Sequence, residues 1–192
     1  MMISLIQEAA ELQKLFESEG KSFFFVGGMA VQIWGQPRLT TDIDCTVFTG
    51  LQNEDEQILD LIKKFKARFT RDEDALQHAR VHRVLLLESS LGTGIDIMLS
   101  GLADISEELD RSSYQKFTPE ISLRVCSADS LIAFKTVAGR LQDFADIENV
   151  LVKQQDLDWE YIDRWLGHAS EYHDYSENIA MLRRLKKQHY RP

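Results

Sequence analysis

Two cysteines, Cys45 and Cys126, are all that this chain carries. Two thiols cannot build a disulfide framework, and neither sits in a CxxC or Cys/His spacing suited to zinc. A reduced, cytoplasmic setting is the expectation. Proline is scarce as well: three prolines and ten glycines in 192 residues leave no long linker or low-complexity tract, and no internal repeat is visible. No apolar run approaches the ~20 residues of a membrane helix. The first twenty residues, interrupted by Glu8, Glu11 and Lys14, lack the basic start and apolar block of a signal peptide. Positive charge is also in short supply. A net charge of −9 argues against a protein that coats nucleic acid by neutralising many phosphates. Two stretches, KKFKARFTR (63–71) and RRLKKQHYRP (183–192), are locally basic and read as a solvated helix face and a tail.

What is present is a soluble domain's share of apolar residues, 44%, in two kinds of pattern. Apolar positions Ile3, Leu5, Ile6, Ala9, Leu12 and Phe16 recur at helical spacing, and Gly20 suits that helix's end. SFFFV is a short buried strand, Gly27-Gly28 a turn, and MAVQIWG a helix that Pro37 forbids from continuing. DIDCTVF is rich in strand formers. NEDEQILDLIKKFKARF reads as one amphipathic helix, acidic at its start and basic at its end. VHRVLLLES and GTGIDIML are paired strands, ADISEELD a short helix, and YQKFT and ISLRVC further strands. His78 and His82 fall where the chain leads into a strand, which argues against a metal pair. From Ser127, a candidate N-cap, SADSLIAFKTVAGRLQDFADIENVLVKQQ reads as one long helix, followed by DWEYIDRWLGHA and YSENIAMLRRLKKQ. Strands alternate with helices to about residue 126, and helices alone follow. The expected fold is α+β: a mixed sheet flanked by helices over residues 1–126, with a helical region over 127–192 packed on it.

Against this pattern three acids stand out. Residues i and i+2 of a strand share a face, so Asp42 and Asp44 project together while Ile43 and Cys45 turn into the core. Adjacent carboxylates repel unless a positive charge lies between them. A divalent cation meets that need, and oxygen-only ligands favour Mg²⁺. Asp96 is a third acid in an apolar strand; if that strand neighbours the first, the three suit one or two ions for displacement at phosphorus. The alternative for any one of them is an ordinary edge or turn aspartate. Gly27-Gly28, between strand and helix, allows close backbone approach, and the helix N-terminus offers free N–H groups to a triphosphate. Arg38 is suited either to bidentate phosphate contact or to pairing with a structural acid. Thr40 and Thr41 can orient the site through their hydroxyls.

A second constellation lies in FKTVAGRLQDFADI. Arg140, Asp143 and Asp146 share a helical face, with Lys135 close to it. Lys135 can reach a triphosphate as a point charge; the alternative is a surface row of salt bridges, worth little energetically. Trp34, Trp159 and Trp165 read as core or interface residues.

VGGMAVQIWGQPRLTTDID together with FKTVAGRLQDFADI resembles the nucleotidyltransferase superfamily that shares its fold with DNA polymerase β, and within it the AbiEii/AbiGii-type enzymes, which include toxins of toxin–antitoxin and phage-defence systems. The resemblance covers about residues 22–150. It implies a nucleotidyltransferase-like mixed sheet and Mg²⁺-dependent transfer of a nucleoside monophosphate from an NTP such as ATP, with release of pyrophosphate. By position, Asp42 and Asp44 would bind metal, and Asp96 would be the third ligand or the base. Gly27, Gly28, Arg38, Thr41, Lys135 and Asp143 would contact nucleotide. The acceptor would be RNA, a tRNA end or a protein hydroxyl, and the partner a cognate antitoxin. Gly28 replaces a serine common in relatives, which removes one hydroxyl contact. The rival expectation is a non-catalytic nucleotide- or partner-binding module of the same fold.

Overall fold

The computed structural model describes residues 2–49, 53–100 and 105–191. In chain order its elements are α1 (Met2–Ser18), β1 (Phe23–Phe25), α2 (Gly27–Trp34), β2 (Asp42–Phe48), α3 (Glu54–Lys64), β3 (Lys66–Ala67), α4 (Asp72–His82), β4 (Val84–Glu88), β5 (Gly94–Ser100), α5 (Ile105–Arg111), β6 (Ser113–Lys116), β7 (Ser122–Val125), α6 (Ala128–Ala138), α7 (Leu141–Lys153), α8 (Trp159–Ser170) and α9 (Ser176–His189). The chain is α+β. It divides into two compact units: Met1–Met29 with Leu39–Val125, and Ala30–Arg38 with Cys126–Pro192.

The first unit carries one mixed sheet of order β3-β4-β5-β2-β1-β7-β6. β2 runs parallel to β5 and antiparallel to β1; β4 and β5 form an antiparallel hairpin. The middle strands show why these residues form them. Phe23, Phe24 and Phe25 of β1 are all buried, as a strand covered on both faces requires, and each such side chain contributes about 1.5–3 kcal/mol. On β2 and β5, Ile43, Cys45, Val47, Ile95, Ile97 and Leu99 are buried while Asp42, Asp44 and Asp96 are only partly so. That alternation fixes the register, because a slip of one residue would turn the carboxylates into the core.

The second unit is helical. Ser127 caps α6, accepting a hydrogen bond from the Ser130 N–H at 3.1 Å. Leu131, Ile132, Ile147, Val150, Ile162 and Leu182 form its core, and inside it the Ser130 and Tyr161 hydroxyls bond at 2.9 Å.

Three sequence expectations are corrected. The long helix expected from Ser127 is two helices. Gly139 takes φ +65, ending α6, and Arg140 is extended, starting α7. A Cβ on Gly139 would also lie 2.9 Å from Asn178 Cγ of α9, so the conformation demands glycine and a side chain there would displace Asn178. The helix expected over residues 53–69 ends at Lys64, and the chain then pairs with β4 as the edge strand β3. His78 and His82 lie on helix α4 rather than leading into a strand; their rings are 4.5 Å apart, and Phe69 stacks on His78 at 5.0 Å. The short helix expected over 103–110 is present as α5, although residues 103 and 104 lie outside the described residues.

Candidate active site

The parallel pairing of β2 with β5 sets Asp44 directly opposite Asp96 and Asp42 opposite Gly94. Asp42, Asp44 and Asp96 therefore share one face of two neighbouring strands, the juxtaposition expected from the sequence. Space for them comes from glycines. Gly27, at φ +53, opens α2 beside Asp44, and a Cβ on it would lie 2.6 Å from Asp44 Cγ and 2.8 Å from Asp44 Cβ. A Cβ on Gly28 would lie 2.7 Å from Thr40 Cβ, and one on Gly94 would lie 2.5 Å from Asp42 Oδ1. Each glycine is thus a place where a side chain would push a carboxylate or hydroxyl out of position. The Val26 N–H donates to the Asp44 carbonyl at 2.9 Å, tying the start of the glycine turn to the acid strand. Thr41 Oγ1 donates to Asp42 Oδ2 at 3.3 Å, and Thr40 Oγ1 to the Asp42 carbonyl at 3.3 Å.

A residue that the sequence reading passed over completes this face. Arg68, just after β3, forms an ion pair with Asp96. Its backbone N–H donates to the Leu86 carbonyl at 3.0 Å, and Leu86 pairs with Asp96. Arg68, Leu86, Asp96 and Asp44 therefore make one cross-strand row, and paired residues of neighbouring strands share a face. A signal for it was present: in FKARF, Phe65, Ala67 and Phe69 alternate with Lys66 and Arg68, a strand period at the end of a helical one.

The donor set fits a divalent cation. All its members are hard carboxylate oxygens, and the glycine turn leaves room for phosphate beside them. Among the described residues no three His, Cys, Asp or Glu side chains stand close enough together to enclose an ion as they are arranged here; Asp96 is engaged by Arg68 instead.

The second unit holds the other constellation, and it is buried rather than a surface row. Lys135 Nζ lies 2.9 Å from Asp143 Oδ1 and 2.7 Å from Asp146 Oδ2, with all three residues at most 5% exposed. Arg140 Nε adds a bond to Asp143 at 2.7 Å. Arg38 grips Asp146 bidentately, Nε to Oδ1 at 2.8 Å and Nη2 to Oδ2 at 2.9 Å, so of its two possible partners it meets the acid. Burial pushes both carboxyls up. The hydrogen bonds outweigh it, from Arg140 and then Lys135 at Asp143, and from Arg38 and then Lys135 at Asp146, so both are held below the ordinary carboxylate range. Three cations meet two anions in this network. An ammonium has three N–H donors, and the two carboxylates account for two of those on Lys135.

The sequence matches the family model described as nucleotidyl transferase AbiEii toxin, type IV toxin–antitoxin system, over residues 12–190. Among curated proteins none matches it. Among solved structures it is similar to an antigenic nucleotidyltransferase-like protein from Paracoccidioides brasiliensis, with TM-score 0.53 and 14% identity over 93% of this chain and 92% of that one. It is similar also to the antibiotic-resistance factor ANT(2'')-Ia, with TM-score 0.52 and 13% identity over 97% and 96%. At such identities these likenesses speak to the fold, which is that of nucleotidyltransferases. Among the described residues no helix is long and apolar enough to cross a membrane.

Proposed function

The chain belongs to the AbiEii nucleotidyl transferase family, and from that premise we propose that it transfers a nucleoside monophosphate from an NTP to an acceptor hydroxyl with Mg²⁺ at Asp42, Asp44 and Asp96. The observation that carries this reading is the placement of three carboxylates on one face of β2 and β5, against a glycine turn with no room for side chains. A cation held there would neutralise phosphate charge and the departing pyrophosphate. The chain's own residues do the rest. The N–H groups opening α2 at Gly27-Gly28 bind phosphate oxygens. Thr41 holds the Asp42 carboxylate in place. Asp96 completes the oxygen ligands or takes the proton of the attacking hydroxyl. As a new bond forms from the acceptor oxygen to the α-phosphorus, the α–β anhydride bond breaks and pyrophosphate leaves.

Arg38, Lys135 and Asp143 are proposed as further nucleotide contacts; within the second unit they belong to one ion-pair network. A hydroxyl on RNA, a tRNA end or a protein is the acceptor class, and membership of a toxin family supports a cognate antitoxin protein as partner.

The test is Mg²⁺-dependent consumption of the four NTPs by wild type and by Asp42→Asn with Asp44→Asn. Turnover is lost in the double variant while its circular dichroism and melting stay native. Wild-type turnover in that variant overturns the proposal. The engagement of Asp96 by Arg68 favours a second reading, a non-catalytic binding module. In that case no NTP raises the melting temperature in a metal-dependent way.

A further inference from the structure

The Arg68–Asp96 pair is an unusual use of an arginine. A guanidinium spans strand β4 to reach Asp96, one of the three carboxylates of the proposed cation site. The row Arg68–Leu86–Asp96–Asp44 fixes where its side chain starts. Asp96 Oδ1 is shielded from solvent and faces the Arg68 guanidinium. Gly94 removes the side chain that would stand in the way: Arg68 Nη1 lies 3.4 Å from where its Cβ would be, and Asp42 Oδ1 lies 2.5 Å from the same point. The guanidinium therefore sits against the carboxylate face, although Arg68 remains partly exposed. Lys66, two residues earlier on the same edge, bonds to its cross-strand partner Glu88 at 2.8 Å. One edge segment thus carries two cations on one face, Arg68 paired with Asp96 and Lys66 with Glu88.

We propose that Arg68 is a positioning residue that gates cation loading. It holds Asp96 in the nucleotide-free protein, and it transfers to a phosphate of the incoming NTP, freeing Asp96 for the ion. This rests on the cation-dependent transferase reading and adds its regulation. Two physical facts make the exchange favourable. Three neighbouring carboxylates repel in the absence of an ion, so a resident cation stabilises the empty face. A guanidinium binds phosphate oxygens with the same forked geometry as a carboxylate, so the arginine loses no partner when the triphosphate arrives. Cation alone must displace Arg68; cation with nucleotide does not. The protein would then bind metal and nucleotide cooperatively, and each would raise the affinity for the other by the same factor.

Mn²⁺ serves as the probe, its binding followed by electron paramagnetic resonance with and without a non-hydrolysable ATP analogue. Arg68→Gln is compared with wild type, with Lys66→Gln as a control for the loss of one positive charge on the same edge. Arg68→Gln is expected to tighten binding of Mn²⁺ alone by about fivefold, the worth of one partly exposed ion pair. The enhancement of Mn²⁺ affinity by the analogue should shrink by a similar factor, and Lys66→Gln should change neither quantity by as much as twofold. An arginine that only braces the fold would lower the melting temperature and leave both affinities unmoved, which overturns the proposal. Equal effects from Arg68→Gln and Lys66→Gln overturn it too, since they would reflect general charge alone. If wild type binds Mn²⁺ and loses it in Asp42→Asn, yet Arg68→Gln changes nothing, the gate fails and the transferase reading stands. If wild type binds no Mn²⁺ even with nucleotide, both fail.

Discussion

Gly27→Ala separates backbone strain from the geometry of the acid face, because the same unit contains a matched control. Gly20 and Gly27 both have positive φ, +65 and +53. At Gly20 an added Cβ meets nothing within 4 Å, so Gly20→Ala bears only the left-handed backbone cost of about 1–2 kcal/mol. Gly27→Ala bears the same cost and in addition an overlap with Asp44, whose Cγ would be 2.6 Å away. An ordinary contact needs about 1 Å more than that, so either Asp44 or the start of α2 must move, which adds about 1–3 kcal/mol. For a chain of this size 1 kcal/mol corresponds to about 2–4 °C in melting temperature. Gly27→Ala should therefore melt below Gly20→Ala by about 2–12 °C. A 1 Å displacement of a group at a reacting centre costs on the order of 100-fold in rate, so NTP consumption should fall by that order in Gly27→Ala and stay at the wild-type level in Gly20→Ala. Scanning calorimetry and pyrophosphate release measure the two effects. Equal melting of the two variants, with equal turnover, would refute the claim that the glycine turn positions Asp44.

Two further outcomes follow from the buried network. Lys135→Met leaves Asp143 and Asp146 buried with one arginine each. Because Arg140 and Arg38 are partly exposed, 77% and 33% by side chain, the loss should fall at the low end for a broken buried pair, about 3 kcal/mol. That is about 6–12 °C in calorimetry, and an unchanged melting temperature would mean that the arginines alone neutralise the acids. Acid should destabilise the protein through the same groups. Both carboxyls are depressed in the folded chain, so their contribution is present above the unfolded value of about 3.9 and is lost as pH falls through the lower folded values. Glu54, hydrogen-bonded by Arg83, is shifted in the same direction. Denaturant titrations between about pH 5 and pH 2.5 should therefore show stability falling less steeply in Asp146→Asn than in wild type; parallel slopes would remove Asp146 from the account.

The acid face was legible in the sequence for a simple reason. Its evidence is local: a period of two, with carboxylates breaking an apolar strand on one side only. β2 and β5 appear where that pattern placed them, and only their adjacency waited for the structure. What escaped depended on partners far along the chain. β3 has two residues and exists because the β4 edge is there to pair with it, so the helical periodicity preceding it ran on through Arg68. The break at Gly139 was masked by apolar residues continuing in helical register on both sides, although the glycine itself was the signal. α4 begins with Asp72, Glu73 and Asp74 and ends with Arg80 and His82, a charge order that suits the helix dipole. The strand pattern of VLLLE just after it pulled the boundary too early. The burial of Lys135 could not be read at all, since helical spacing is the same whether a polar stripe meets water or another helix.

The parallel pairing of β2 with β5 has a consequence in time. Asp44 and Asp96 are roughly fifty residues apart in the chain, and α3, β3, α4 and β4 make up the connection between their parallel strands. Contacts so distant in sequence slow folding. During synthesis, the ribosome has released the first two carboxylates well before the third, and Arg68 emerges between them. A growing chain that stops short of β5 thus has no complete acid face. If the three acids act together as proposed, a fragment that ends before β5 should consume no NTP.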